Sequence, residues 1–359
     1  ELARQLADEL TADYVYMYPP RQAYRPIDLL AVPNRISDSL DRSNALNLYF
    51  HFPFCRQICA FCNLFTHVST NDQLYDRYIG CLEREILYFA PWIAGKAINT
   101  VYLGGGTPSL LSPKLFERLF NFLLNHIGCD IWHVPEVAIE VSPETVDKDK
   151  FEEYRRIGIN RVNLGVQSTA TEELHLIGRG YDSATPFRAL EIVQAVGFKN
   201  VCVDLIYGLE GQTNETWQES LNTVIKYKPE TICAYALTLR PVTGFDARGY
   251  RQIPGPEQYR KYDYACQALT ASGYAQETHV RWIRSDKGGY RQKANHWAME
   301  NILGFGAGAR SCLWHIDIRN GYSARHRNRA FREYLDRVEE RGFGVADGFL
   351  MDDDERRRK

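Results

Sequence analysis

Cys55, Cys59 and Cys62 fall together in the run Phe54-Cys55-Arg56-Gln57-Ile58-Cys59-Ala60-Phe61-Cys62. The spacing C-x3-C-x2-C offers three thiolates from one loop. Three thiolates can hold a cubane iron–sulfur cluster and leave its fourth iron open to a substrate or cofactor. A four-cysteine site cannot do this. Zinc is the competing reading, but zinc usually takes a fourth Cys or His at similar spacing. His67 is the only nearby candidate. Ligand count therefore favours the cluster. The other cysteines, Cys81, Cys129, Cys202, Cys233, Cys266 and Cys312, sit singly in apolar runs. They read as small buried hydrophobes in a reducing compartment rather than as disulfides.

More polar residues recur where apolar runs end. Gly104-Gly105-Gly106-Thr107-Pro108 follows Thr100–Leu103, and glycines let a backbone approach a ligand closely. Glu140 closes Val137-Ala138-Ile139-Glu140-Val141. A carboxylate there is costly without partners, and could accept from ribose hydroxyls or an ammonium. Gln167 and Asp204 repeat the pattern in Gly165-Val166-Gln167-Ser168 and Val203-Asp204-Leu205. One such residue reads as a solvated strand end; three in succession point to one ligand site. Arg179, in Ile177-Gly178-Arg179-Gly180, could clamp a carboxylate.

Elements must bring these residues together. Candidate strands are Leu46–Phe52, Thr100–Leu103, Val137–Val141, Arg161–Val166, Val201–Ile206, Thr231–Ala236 and Tyr274–His279. Helical spacing fills Leu74–Phe89, Pro113–Leu124, Lys148–Arg156, Pro186–Val196, Thr216–Tyr227 and Pro256–Ala271. Strands alternating with helices predict βαβ units and a parallel sheet. The fold expected is α/β, a partial TIM-like barrel of six βα units, with its chemistry on the loops after the strands. Three parts are expected: an N-terminal arm over 1–43, the partial barrel over 44–285 and a C-terminal extension over 286–359. The arm carries Tyr14, Tyr16, Tyr18, Pro19, Pro20, Tyr24 and Pro26. It reads as a packed extended segment, or else as a strap across the barrel mouth.

Together the cysteine loop, GGGTP, IEVSP, NLGVQS, DLIYGL and Leu303-Gly304-Phe305-Gly306-Ala307-Gly308-Ala309 resemble the oxygen-independent coproporphyrinogen III dehydrogenase-like branch of radical S-adenosylmethionine (SAM) proteins. The resemblance covers about residues 44–315, and Tyr18-Pro19 resembles that branch's N-terminal arm. It implies a 4Fe-4S cluster on Cys55, Cys59 and Cys62, and two SAM molecules. The open iron would chelate one SAM, and one electron would cleave its sulfonium to a 5′-deoxyadenosyl radical. Phe61 would pack beside the first adenine. Tyr49, Gly105, Gly106, Thr107 and Glu140 would lie against the SAM pair, completed by Gln167, Arg179, Asp204, Thr238 and Arg310. Arg310 departs from the porphyrin enzymes, which are apolar there. The resemblance also implies a small-molecule substrate and an electron donor such as flavodoxin or ferredoxin.

Three activities share that scaffold: oxidative decarboxylation of coproporphyrinogen, haem trafficking, and methyl or methylene transfer by the class C methylases and cyclopropanases. The porphyrin dehydrogenases usually carry a further cysteine where this chain has Leu64. Ala294-Asn295-His296-Trp297 is near the haem chaperones' motif without matching it, and His279 and His296 are the candidate haem ligands. The Tyr-Pro-Pro and Tyr-Arg-Pro runs before Pro26 look most like the methylases. Methyl or methylene transfer to an sp2 carbon of a natural product is the favoured reading.

Bulk properties set limits. The chain has 359 residues, 45% hydrophobic and 25% charged, with net charge −2. This is ordinary globular composition without the basic footprint of a nucleic-acid binder. No apolar run approaches the ~20 residues of a membrane span. No secretory leader is read at the start, and cytoplasm is the expected compartment. The run Asp352-Asp353-Asp354-Glu355-Arg356-Arg357-Arg358-Lys359 reads as a helix beginning, so more chain is expected beyond it.

Overall fold

The computed structural model describes residues 19, 23–28, 32–41, 45–284, 289–323 and 325–358. The strands are β1 Ala45–Phe52, β2 Phe54–Cys55, β3 His67–Val68, β4 Ala97–Gly105, β5 Glu136–Val141, β6 Arg161–Gln167, β7 Asn200–Tyr207, β8 Thr231–Ala236, β9 Tyr274–Thr278, β10 Arg281–Arg284, β11 Ile302–Phe305, β12 Arg310–Cys312, β13 Ile316–Arg319 and β14 Asp347–Leu350. The helices used below are α1 Val32–Leu40, α2 Asp72–Ile93, α3 Pro113–Ile127, α4 Lys148–Arg156, α5 Ala184–Val196, α6 Asn214–Lys226, α7 Gly255–Ala271, α8 Arg291–Trp297 and α9 Arg327–Arg341.

Twelve strands form one sheet in the order β14-β13-β12-β11-β1-β4-β5-β6-β7-β8-β10-β9. The run from β11 through β1 and β4 to β8 is parallel throughout. The physical cause is the crossover helices, which parallel neighbours require. Both ends of the sheet are antiparallel, and β14 and β9 do not pair, so the barrel is partial. The expected strand Tyr274–His279 is corrected here. It ends at Thr278 and forms the outer half of a β9–β10 hairpin, in which β10 lies antiparallel to both β9 and β8 and separates β9 from the parallel strands.

Alternation divides each parallel strand between two faces. In β1, Leu46, Leu48, Phe50 and Phe52 are wholly buried against the helical layer. Asn47, Tyr49 and His51 occupy the other face. Polar residues repeat at those positions in the next strands: Thr100, Glu136, Arg161, Asn163 and Thr231 are all buried. Several of them bond to one another or to neighbouring side chains on this face. Asn163 donates to Tyr102 Oη at 3.0 Å and Tyr290 Oη at 3.2 Å, and Thr100 donates to Asn47 at 2.9 Å. Buried polar groups paired in this way escape the 1–3 kcal/mol or so that each would cost unpaired.

The C-terminal part continues the same sheet, because β11 lies beside β1. The described part of the N-terminal arm packs on this end rather than across the barrel mouth. Arg25 and Gly348 exchange backbone hydrogen bonds at 3.0 and 2.9 Å. The Tyr24 hydroxyl donates to Asp317 at 3.4 Å. Tyr14, Tyr16, Tyr18 and Pro20 lie outside the described residues. Among the described residues no helix is long and apolar enough to cross a membrane.

Candidate functional site

The three-cysteine loop leaves the C-terminal end of β1, where parallel sheets carry their sites. It is anchored at both ends. His67 N donates to Pro53 O at 2.7 Å and Ser69 N to Cys55 O at 3.1 Å, closing the short β2–β3 pair. Ala60 N donates to Ile177 O at 2.8 Å, and Phe245 N to Ala60 O at 2.9 Å. The loop is thereby clamped between two later segments of the barrel rim. His51 props it from below. Its Nε2 lies 2.8 Å from Phe65 O and its Nδ1 2.9 Å from Tyr49 Oη. A carbonyl only accepts, so Nε2 carries the hydrogen and Nδ1 accepts from the tyrosine. Burial lowers the His51 pKa to about 4, keeping the ring neutral for both bonds.

Burial also raises the thiols, Cys55 to about 12 and Cys62 to about 11. Thr107 opposes this at Cys55, its hydroxyl lying 3.6 Å from Sγ. Buried thiols of this kind ionise only when a cation arrives, and metal binding then releases the proton. His67 offers no fourth zinc ligand at Nδ1, which bonds Asn328 at 3.0 Å, and the ring stacks on Phe331. Zinc at ~2.3 Å from each sulfur would bring thiols to ~3.8 Å of one another. The loop cysteines are not grouped so tightly; among the described residues only Cys202, Asp204 and Cys233 are. Three thiols from one loop that are not drawn together around a single ion fit a cubane, which takes one thiolate per iron.

A cavity of about 210 Å³ opens beneath the loop. Its wall holds Cys55, Cys59, Cys62, Phe61, Gly105, Gly106, Thr107, Glu140, Gln167, Arg179 and Asp204, from five successive strand ends and the loops after them. Glu140 accepts from Tyr102 Oη at 2.7 Å and from Gly105 N at 2.9 Å. Burial raises its pKa nonetheless. Gln167 holds φ 69 at a bulge between β6 and β7. Such a backbone is rare outside glycine and gathers at functional sites. Arg179 donates to Ser142, to Glu144 at 3.5 Å and to Tyr181 at 3.2 Å, while its buried Nε has no partner.

The glycine loop has a reason beyond ligand approach. A Cβ on Gly106 would stand 2.6 Å from Phe54 O, and one on Gly105, at φ +118, would meet the His51 ring at 2.8 Å. Gly106 N and Thr107 N each donate at 2.7 Å, to Phe52 O and Phe54 O. GGGTP is therefore the surface on which the cysteine loop is laid.

Three expected residues stand apart from this wall. Tyr49 sits one layer lower, its hydroxyl held by His51. Thr238 bonds back to Ala236 O at 3.4 Å. Arg310 on β12 donates to Asp317 at 2.6 Å and to Pro19 O at 3.3 Å, and its guanidinium lies over Tyr24. It is a fastener for the N-terminal arm.

Sequence reasoning missed two features. Cys202 and Cys233, expected as isolated cysteines, meet in the barrel, with Sγ atoms 3.7 Å apart and Cys202 3.8 Å from Asp204 Oδ1. Adjacent β7 and β8 bring them together, and only the register, Asp204 opposite Cys233, reveals it. Burial raises the Asp204 carboxyl to about 6, against the thiol contacts. The second feature is Arg327, which bonds Thr66 Oγ1 at 3.0 Å and Cys62 O at 3.3 Å from α9. No local pattern links residues so distant in sequence.

Comparison with known proteins agrees with this geometry. Residues 49–224 match the Radical SAM superfamily. The chain is 30% identical to the haem chaperone HemW of Escherichia coli over 266 residues, 74% of this chain and 69% of that protein. It is 32% identical over 232 residues to the oxygen-independent coproporphyrinogen III oxidase of Escherichia coli, 64% of this chain and 50% of that protein. The solved structure of coproporphyrinogen III oxidase (HemN) from Escherichia coli superposes with a TM-score of 0.83 at 25% identity, over 95% of this chain and 80% of that one. The sequence's preference for a class C methylase gains no support from these relatives. The chain belongs to the radical SAM superfamily, in the branch of HemN and HemW, whose membership implies a 4Fe-4S cluster and SAM.

Proposed function

We propose that this chain is a radical SAM oxidoreductase acting on a carboxylated tetrapyrrole, by the kind of oxidation named for its coproporphyrinogen oxidase relatives. The observation that carries the radical part is one cavity walled by Cys55, Cys59, Cys62, Glu140, Gln167, Arg179 and Asp204. The relatives' names support the substrate class.

Cys55, Cys59 and Cys62 would hold the cluster. Bound with SAM, that group supplies a carbon-centred radical after one-electron reduction. The protein's own share is positioning and exclusion of water. Glu140 is pre-oriented by Tyr102 and Gly105 to accept from a ligand's hydroxyl or ammonium groups. Arg179, with one N–H unpaired, is suited to a carboxylate. Of the three carboxylates in the wall, Glu144 faces Arg179, which leaves Glu140 and Asp204 to balance the two sulfonium charges of a SAM pair. Burial lowers the pKa of Lys293, on α8, against the pull of the neighbouring Glu140 and Asp204 carboxyls.

The test is anaerobic reconstitution followed by SAM and coproporphyrinogen III. Expected are 5′-deoxyadenosine, which takes one substrate hydrogen, and a mass loss of carbon dioxide plus two hydrogens per propionate oxidised to a vinyl, the remaining electron passing to a one-electron acceptor supplied in the assay. Cys59→Ala should lose the brown cluster absorbance and at least 1,000-fold in deoxyadenosine formation, about 4 kcal/mol in the barrier. Normal iron and sulfide content in that variant would refute the ligand assignment. Haem carriage is the second reading, favoured by the HemW relatives. A stoichiometric Soret band on haem titration, with coproporphyrinogen untouched, would select it. Deuterium passing from methyl-labelled SAM into deoxyadenosine during turnover would instead select methylene transfer.

A further inference from the structure

The cysteine loop has two sides. Inside lies the cavity just described. Outside lies a groove between the loop and the start of α9. Ile58, Cys62 and Thr66 border both spaces, so the loop alone separates them. The outer groove is strongly basic: Arg325, Arg327, Arg329 and Arg332 line it, and no carboxylate does among the described residues. Arg325, Arg329 and Arg332 are exposed. Arg329 is paired with Glu333 at 2.7 Å on the same helix, with three quarters of its side chain still in solvent. Such exposed pairs hold weakly and exchange readily. Apolar side chains line the same groove: Ile58, Val68 and Val242 are each more than a third exposed.

This composition is unusual for a chain of net charge −2. A positive field over apolar contacts steers an acidic protein surface and then lets it pack. A phosphate-backbone ligand would use the arginines but not the apolar rim. The position decides the kind of acidic protein. A partner seated here is one loop away from the three thiols, and Arg327 ties the groove floor directly to Cys62 O.

We propose that the groove between the cysteine loop and α9 is the docking face for an acidic one-electron carrier protein, recognised by Arg325, Arg329 and Arg332 around an apolar patch. The inference rests on the reading of the loop as a cluster site. One electron leaves the reduced carrier and passes to the iron–sulfur group. No atom or proton crosses the interface.

The test uses reduced and oxidised flavodoxin as the probe, with the full chain and the variant R325E/R329E/R332E. Binding is measured by calorimetry on the cluster-free chain, so it does not depend on a loaded site. Affinity should fall at least 10-fold in the variant and at least 10-fold in the unaltered chain between 20 and 300 mM salt, as screening of an electrostatic interface requires, with a Debye length of ~8 Å near physiological salt. In the reconstituted protein, flavodoxin-driven SAM cleavage should fall by the same factor, while dithionite-driven cleavage is unchanged. The neutral variant R325Q/R329Q/R332Q should lie between the two. Equal affinity and equal flavodoxin-driven rates in all three proteins would overturn the proposal. So would binding of RNA or anionic lipid vesicles through these arginines with flavodoxin ignored. Absence of dithionite-driven cleavage in the unaltered chain would refute the cluster reading instead, and the calorimetry would still decide the docking face.

Discussion

Gln167 condenses the residue-scale argument. Its backbone sits at φ 69, where side chains other than glycine are strained, and its amide folds over Gly165, where a Cβ would stand 2.6 Å from Nε2. A fold optimised only for stability would place glycine there. Gln167→Ala and Gln167→Gly both remove the amide, but only glycine relieves the backbone. The glycine variant should therefore be more stable than the alanine variant by about 1 kcal/mol, the reverse of their order in ordinary strand positions. Both should weaken SAM binding in calorimetry. Alanine equal to or better than glycine in chemical denaturation would mean that the backbone is not strained. The polar residue at this strand end was legible in the sequence. Its backbone angle was not, because a bulge depends on the partner strand's register.

Elements were legible where a local pattern repeats. The parallel strands β1 and β4 to β8 read as apolar runs bounded by Gly, Pro and polar residues, and the helices between them carried clear 3.6-residue spacing. β11 to β14 went unread because they are short, three or four residues each, and owe their pairing to β1 and to one another. Tyr274–Thr278 resembles the other strands locally, and only the two-residue link to β10 makes it half of a hairpin rather than another βα unit. The same limit hid the meeting of Cys202 and Cys233. Their contact is a consequence of strand register, so their role is tested at this scale. Both are almost wholly buried, where a thiol acts as a small hydrophobe. Cys202→Ser and Cys233→Ser should each destabilise the fold by about 1–2 kcal/mol, through an added buried hydroxyl, and leave the iron and sulfide content unchanged. Loss of iron in either variant, measured by mass spectrometry beside Cys59→Ala, would show that the pair takes part in cofactor binding.

At the scale of the whole molecule, one carboxylate joins the C-terminal segments to the barrel. Glu85, on α2, is fully buried. It accepts from Gly306 N at 2.7 Å, Gly344 N at 2.9 Å, Asn320 Nδ2 at 2.9 Å and Tyr334 Oη at 2.9 Å. These donors span residues 306 to 344, so a single side chain gathers the loop after β11, the end of β13, α9 and the segment before β14. The link reaches the candidate site. Ala307 N donates to Tyr78 Oη at 2.8 Å, and that hydroxyl donates to His51 O at 2.7 Å, the residue propping the cysteine loop. Burial raises the Glu85 pKa from 4.5 to about 7, although the four donors pull the other way. A folded pKa above the unfolded one favours the protonated acid. Its stabilising contribution is complete below pH 4.5 and is lost as the pH rises to about 7. The shift corresponds to about 3 kcal/mol. Glu85→Gln cannot titrate. Urea unfolding of both cluster-free proteins from pH 5 to pH 8 should therefore show the unaltered chain losing stability relative to the variant by up to that amount. Glu85→Ala, which strands four donors at once, should cost about 3–5 kcal/mol at pH 5 and less as the pH rises and the unaltered chain loses the contribution of Glu85. A wild type whose stability relative to Glu85→Gln stays level or rises with pH would show that the donors, not burial, set the charge of Glu85, and that the C-terminal segments are held by a carboxylate ionised throughout that range.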